Sequence, residues 1–90
     1  MKKNIKIALK GEIVLQKITD YQQSLEKALD SNVHLILDLE GVTQLDGAGL
    51  QFLLSFAKHR KNNGKACSFS YEANPLVREI FKISGAEKII

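Results

Sequence analysis

Apolar and polar positions change period several times along this chain, and each change marks an element. Ile5, Ile7 and Leu9 alternate with Lys6, Ala8 and Lys10, the period-two pattern of a half-exposed strand. Gly11 turns or bulges that strand, and Glu12 to Leu15 continues it as a second short one. Thr19-Asp20-Tyr21-Gln22 has the form of a capping box. Tyr21, Leu25, Ala28 and Leu29 follow at helical spacing, and Asp30-Ser31-Asn32 ends that helix. Val33 to Leu39 is almost continuously apolar, as expected of a central strand covered on both faces.

After a short polar loop, Leu50, Leu53, Leu54 and Ala57 recur at i, i+3, i+4 and i+7, which predicts a helix from about Ala48 to Lys61. Asn62-Asn63-Gly64 reads as a turn. Cys67, Phe69 and Tyr71 then alternate with Ala66, Ser68 and Ser70, a strand with one wet face. Asn74-Pro75 is a helix start, with an N-cap residue followed by proline at the first helical position. Leu76, Val77, Ile80, Phe81 and Ile83 supply its buried side, and Gly85 is the residue just past its end. Glu87 to Ile90 is a final short strand or a tail.

Strands alternating with helices imply crossover connections. Three helices are too few to cover both faces of a sheet. The expected class is therefore α/β: a small mixed β-sheet of four to five strands with three helices mainly on one face, in a single domain over residues 1–90. The core of a 90-residue chain is modest and leaves little room for a deep catalytic cleft. Thirteen basic and ten acidic residues leave a net charge of +3, too small an excess to argue for nucleic acid. Met1-Lys2-Lys3 is basic but precedes no long apolar run, so neither a signal peptide nor direct membrane insertion is expected. The one cysteine, Cys67, cannot form an internal disulfide, and a reducing cytoplasm is the natural setting.

The candidate chemistry gathers where the apolar strand meets Asp46-Gly47-Ala48-Gly49 and the Leu-rich helix begins. Such tips present free backbone N–H groups and the positive end of a helix dipole. Asp46, one residue before the helix, suits an N-cap. Gly47 reads as a position needing positive φ or close backbone approach. The tip holds no Ser, Thr, Cys or His to act as a nucleophile, and the chain holds no phosphate-binding loop with Lys and Ser/Thr. Asp38, Glu40 and Asp46 flank the loop, but no acidic pair follows the first strand to complete a magnesium site. His34 and His59 lie far apart, and no cysteine partner has metal spacing. The expectation is no catalytic residues, no metal and no cofactor. Lys58, His59, Arg60 and Lys61 read as a solvated helix end. Cys67 reads as a small core residue. Phe52 points away from the apolar stripe and Phe56 sits on its flank. With Ala48 and Gly49 they would form an apolar band running from the tip, or else a wider core.

These residues also carry a resemblance. Asp46-Gly47-Ala48-Gly49-Leu50, after an LDL…V strand and loop, looks like the Asp-x-x-Gly-Leu tip of STAS domains, named for sulfate transporters and anti-sigma-factor antagonists. The LKGEI segment, Leu9 to Ile13, and a last helix ending near Ser84-Gly85 extend the similarity over nearly the whole chain. DGAGLQFLL is similar to stand-alone bacterial STAS proteins. The resemblance implies a non-enzymatic regulatory protein acting by protein–protein binding, like an anti-sigma-factor antagonist. The implied partner is an anti-sigma or switch kinase, a chemotaxis protein, or the ATPase of a phospholipid-trafficking ABC transporter. Nucleotide binding is a further alternative, and homodimerisation is left open. Phosphorylatable members have Ser or Thr after the tip Asp; here that position is Gly47, which has no acceptor oxygen. Thr43 and Ser55 are the nearest hydroxyls. The docking surface is expected at Thr43, Gln44, Asp46, Gly47, Ala48, Gly49, Leu50 and Phe52.

Overall fold

The computed structural model describes residues 3–89. Among the described residues five strands form, β1 (Asn4–Ala8), β2 (Gly11–Ile13), β3 (His34–Asp38), β4 (Val42–Leu45) and β5 (Cys67–Ser70). Four helices accompany them, α1 (Ile18–Leu25), α2 (Gly47–Asn62), α3 (Pro75–Ser84) and α4 (Ala86–Ile89). Short 3-10 turns at Leu15–Lys17 and Glu26–Ala28 bracket α1. The α/β class follows the expectation, while β4 lies where a polar loop was expected. The pairing differs from a single mixed sheet. Every pair is parallel, in a three-stranded sheet ordered β1-β3-β5 and a two-stranded sheet β2-β4.

The two sheets are one ladder broken by a kink. β1 and β2 follow β3 and β4 side by side, and the amides of Leu9 and Gly11 reach the carbonyls of Asp38 (2.9 Å) and Gly41 (3.0 Å) across the break. Gly11 sits at φ +86° at this kink, where a side chain would be strained. The Tyr21 hydroxyl of α1 donates to the Lys10 carbonyl and pins the bend.

The core lies on one face of the sheet. Leu35, Leu37 and Leu39 of the β3 run are fully buried there, with Phe69 of β5 and Val77 and Phe81 of α3. Phe69 meets Phe81 edge-to-face at 5.6 Å between ring centroids, a favourable aromatic geometry. The opposite face carries Lys6, His34, Ile36, Ser68 and Ser70 and is only half covered. β3 is thus central in the sheet but not buried on both faces, as its apolar run had suggested. His34 and Ser68 share a hydrogen bond at 3.1 Å on this wetter side.

Several local expectations change. Thr19 does not cap α1, because the 3-10 turn carries the chain into the helix and Lys17 occupies the cap without a side-chain bond. α3 buries Val77 and Phe81, while Leu76 and Ile83 are exposed. The end of the chain is α4 rather than a strand, begun after Gly85 takes the left-handed conformation; Ile90 lies outside the described residues. The Asn74 cap behaves as read, accepting from the Val77 amide, and its buried side-chain amide also donates to the carbonyls of Leu39, Glu40 and Val42.

The largest departure is Arg60. It is not solvated but completely buried. Its guanidinium donates to the carbonyls of Ala28 (2.6 Å), Leu29 (3.2 Å), Ser31 (3.2 Å), Val33 (2.6 Å) and Ala66 (2.9 Å). The arginine fork suits several acceptors at once, which a lysine ammonium does not. Replacing Arg60 by Met removes the donor from the Leu29, Ser31 and Val33 carbonyls, while those of Ala28 and Ala66 keep the amides of Ser31 and Leu35. Unfolding in urea should then show a loss of about 3 kcal/mol or more, given roughly 1–3 kcal/mol for each buried polar group left unpaired. Lys58→Ala, on the exposed side of the same helix, should change stability by less than about 0.5 kcal/mol. Equal small effects of both changes would contradict the structural role assigned to Arg60.

Candidate functional site

The tip is built around one carboxylate. Asp46 ends β4 in extended conformation and caps α2, its Oδ1 accepting from the Gly49 amide at 2.7 Å. Its Oδ2 accepts from the Leu15 amide at 3.0 Å, so the same side chain holds the start of the 3-10 turn after β2. The Asp46 amide in turn donates to the Ile13 carbonyl at 3.4 Å. The Gly49 and Leu15 bonds favour the ionised form and hold the Asp46 carboxyl below the usual carboxylate range.

The two glycines of the tip have different tasks. Gly49 is buried, and a Cβ there would collide with the Ile13 carbonyl oxygen. Close helix-to-strand approach therefore demands glycine at 49. Gly47 is exposed, has no atom within 4 Å of where a Cβ would stand, and does not take positive φ. The backbone need expected at Gly47 is therefore corrected. Nothing in the fold requires glycine there.

The candidate docking residues divide accordingly. Gly47 is exposed, and Ala48, Leu50 and Phe52 are half-buried. Gly49 lies beneath the tip and offers no surface. Thr43 and Gln44 are exposed, but they stand on β4 rather than in a loop. The buried side of α2 is Gly49, Leu53, Phe56, Ala57 and Arg60, rotated from the expected Leu50/Leu53/Leu54/Ala57 stripe. That rotation buries Phe56 and removes it from any exposed band. Phe52 packs partly on the core and lines a groove against α1 with Phe56, Leu25 and Leu29. Ser55 borders the same groove and accepts from the Gln51 side chain at 3.3 Å.

Leu15 was missed by sequence reasoning. It is 67% exposed, and its amide bond to Asp46 places it at the tip. It follows β2 on a polar turn, and that contrast was the available signal. The three acids near the tip do not converge. Asp38 accepts from the Glu40 amide, Glu40 from the Ala73 amide, and Asp46 from Leu15 and Gly49. Among the described residues no group of three His, Cys, Asp or Glu side chains is placed to hold a metal ion. Cys67 is half-buried, and burial pushes its thiol pKa up, away from the reactive thiolate.

A family model described as "Mlab, STAS domain" matches residues 2–90. Among solved structures, the unphosphorylated form of the anti-sigma factor antagonist SpoIIAA is similar, with a TM-score of 0.71 at 20% sequence identity. The match covers 94% of this chain and 75% of that one.

Two measurements test the tip. Gly49→Ala should cost about 2 kcal/mol or more through overpacking. Gly47→Ala should leave stability unchanged or raise it by up to about 1 kcal/mol. Matched effects would contradict the contrast between the two glycines. The second measurement is the pH dependence of Asp46→Asn. The folded pKa of Asp46 is depressed, so its charge stabilises the fold above the unfolded-state value and ceases to do so as pH falls through the folded one. Wild type should be the more stable at neutral pH, with the gap closing in strong acid. A gap that persists unchanged below that pKa would refute the assignment.

Proposed function

This chain belongs to the STAS domain family, and on that premise we propose that it is a non-enzymatic regulatory protein that docks a protein partner through its tip. The observation that carries the reading is the tip itself. Leu15 and Gly47 are exposed and Ala48 and Leu50 are half-buried, and Asp46 ties the turn at Leu15 to the first turn of α2. Apolar side chains held on a rigid frame bind at low entropic cost. Thr43 and Gln44 on β4 and Phe52 on α2 are further candidates for this surface.

Gly47 stands where phosphorylatable STAS proteins carry their hydroxyl. A phosphate there would add negative charge and bulk to the docking surface. Without the hydroxyl, the partner contact is constitutive. Thr43 sits on a strand and Ser55 faces the α1–α2 groove, so neither replaces a hydroxyl at the first residue of α2. The anti-sigma-factor antagonist mode, with a switch kinase or related signalling protein as partner, is the leading form of this reading. Gly47 also supports a second form, in which the partner is the ATPase of a phospholipid-trafficking transporter. A subunit held permanently on an ATPase needs no phosphate switch. A cytoplasmic site of action suits both.

The test uses the partner recovered on the intact protein from its own cells, whose identity separates the two forms. Gly47→Glu should weaken that complex roughly tenfold or more, since charge and bulk enter a desolvated contact. Its circular dichroism and melting temperature should match wild type. Unchanged affinity in the folded variant would remove the tip as the interface. Incubation of wild type with the partner kinase and ATP should leave the chain unmodified, while Gly47→Ser should accept phosphate at residue 47. Stoichiometric phosphate on Thr43 or Ser55, with loss of the complex, would contradict constitutive docking.

A further inference from the structure

We propose that the groove between α2 and the start of β5 is a second docking surface, for an acidic segment of a partner protein that also bears apolar side chains. Leu54, Ala57 and Cys67 form its floor, and Lys58, Lys61 and Lys65 stand around it. His34 closes one end, and no Asp or Glu lines it. The groove has a volume of about 530 Å³, room for a few side chains.

Lysines at the end of a helix ordinarily need no explanation beyond the dipole. Here three of the last four carbonyls of α2 are already satisfied. His59 O accepts from the Asn63 amide and side chain, Arg60 O from the amides of Asn63 and Lys65, and Lys61 O from the Gly64 amide. Among the described residues the ion pairs are Lys17–Glu12 and His59–Asp30, and neither includes a groove lysine. The Lys65 ammonium rests on the Asp30 carbonyl (2.7 Å) and Asn32 Oδ1 (3.2 Å), which hold it without neutralising it. Three uncompensated charges around one apolar floor form a locally positive concavity that an anion relieves.

The floor selects the class of anion. Leu54 and Ala57 take aliphatic side chains, and no Phe, Tyr or Trp lines the groove as a platform for stacked bases. Carboxylates beside leucine-like residues on one face of a peptide match both features. The groove is also separate from the tip. Lys61 lies about 20 Å along α2 from Gly47 at the helical rise of roughly 1.5 Å per residue. The inference rests on the groove's own charge and shape and does not need the tip to be an interface.

The experiment titrates the ¹⁵N-labelled full chain with a synthetic helical peptide of Glu, Leu and Ala, following its amide resonances. Parallel titrations use the same peptide with Gln for Glu, a single-stranded oligonucleotide, and vesicles of anionic phospholipid. The expected result is saturable shifts at Leu54, Lys58, Lys61 and Cys67 with the acidic peptide. Affinity should fall about tenfold or more between about 0.05 and 0.5 M salt. It should fall similarly in the Lys58→Glu/Lys61→Glu variant, whose two sites are exposed and whose melting is checked, and it should survive Gly47→Glu. Absence of shifts in the groove, equal shifts with the Gln peptide, or insensitivity to the lysine reversal would overturn the proposal. Tighter binding of the oligonucleotide or the vesicles at the same residues would overturn it in favour of that ligand.

Discussion

A guanidinium buried without a carboxylate organises one end of this molecule. Arg60 gathers carbonyls from the turn after α1, from the entry to β3 and from the entry to β5. The Ala28 and Ala66 carbonyls also accept the amides of Ser31 and Leu35, but a buried carbonyl left unpaired is costly. Arg60 sets where two of the three main strands begin and how deeply α2 lies on the sheet. Asn74 does the matching task beyond the far ends of the strands, donating to Leu39, Glu40 and Val42 while it starts α3. Two polar side chains thus close the two ends of a small apolar core.

With α2 fixed at its C-terminal end by Arg60, its other end is fixed by contact rather than charge. Gly49 lets the helix backbone come down on the Ile13 carbonyl, and Asp46 ties the incoming strand and the turn at Leu15 into the same knot. What remains outside is the surface of Leu15, Gly47, Ala48 and Leu50. The Asp46 bonds and the close approach at Gly49 hold the turn at Leu15 against the start of α2. Gly47 takes no part in those contacts. No close contact in the fold demands its lack of a side chain, and it falls within the proposed docking surface.

Most elements could be read from the chain because they depend on local signals, the exceptions being β4, read as part of a polar loop, and α4, read as a strand or tail. The alternation at Ile5–Leu9, the N-cap and proline at Asn74-Pro75, and the left-handed Gly85 all stand where they were expected. What could not be read depends on contacts between distant segments. The orientation of α2 is set by Gly49 and Arg60, neither of which scores as apolar in a helical pattern, so the stripe was placed too far toward Leu50 and Leu54. That displacement made Phe56 look peripheral when it is core. Arg60 sits among Lys58, His59 and Lys61, and composition alone cannot separate a buried cation from its solvated neighbours. The Asp46 cap was legible, whereas the exposed Leu15 beside it needed a hydrogen bond spanning thirty-one positions to be assigned to the tip.

The central claim is that the tip, bare at Gly47, is where a partner protein sits. Hydrogen–deuterium exchange of the intact chain, alone and bound to the partner recovered from its own cells, tests that most directly. The account predicts slowed exchange at Leu15–Lys17 and across the first turns of α2, with the exposed Leu76 and Ile83 face of α3 unchanged. Protection confined to α3 or to the open face of the sheet, with the tip exchanging as in the free protein, would contradict it.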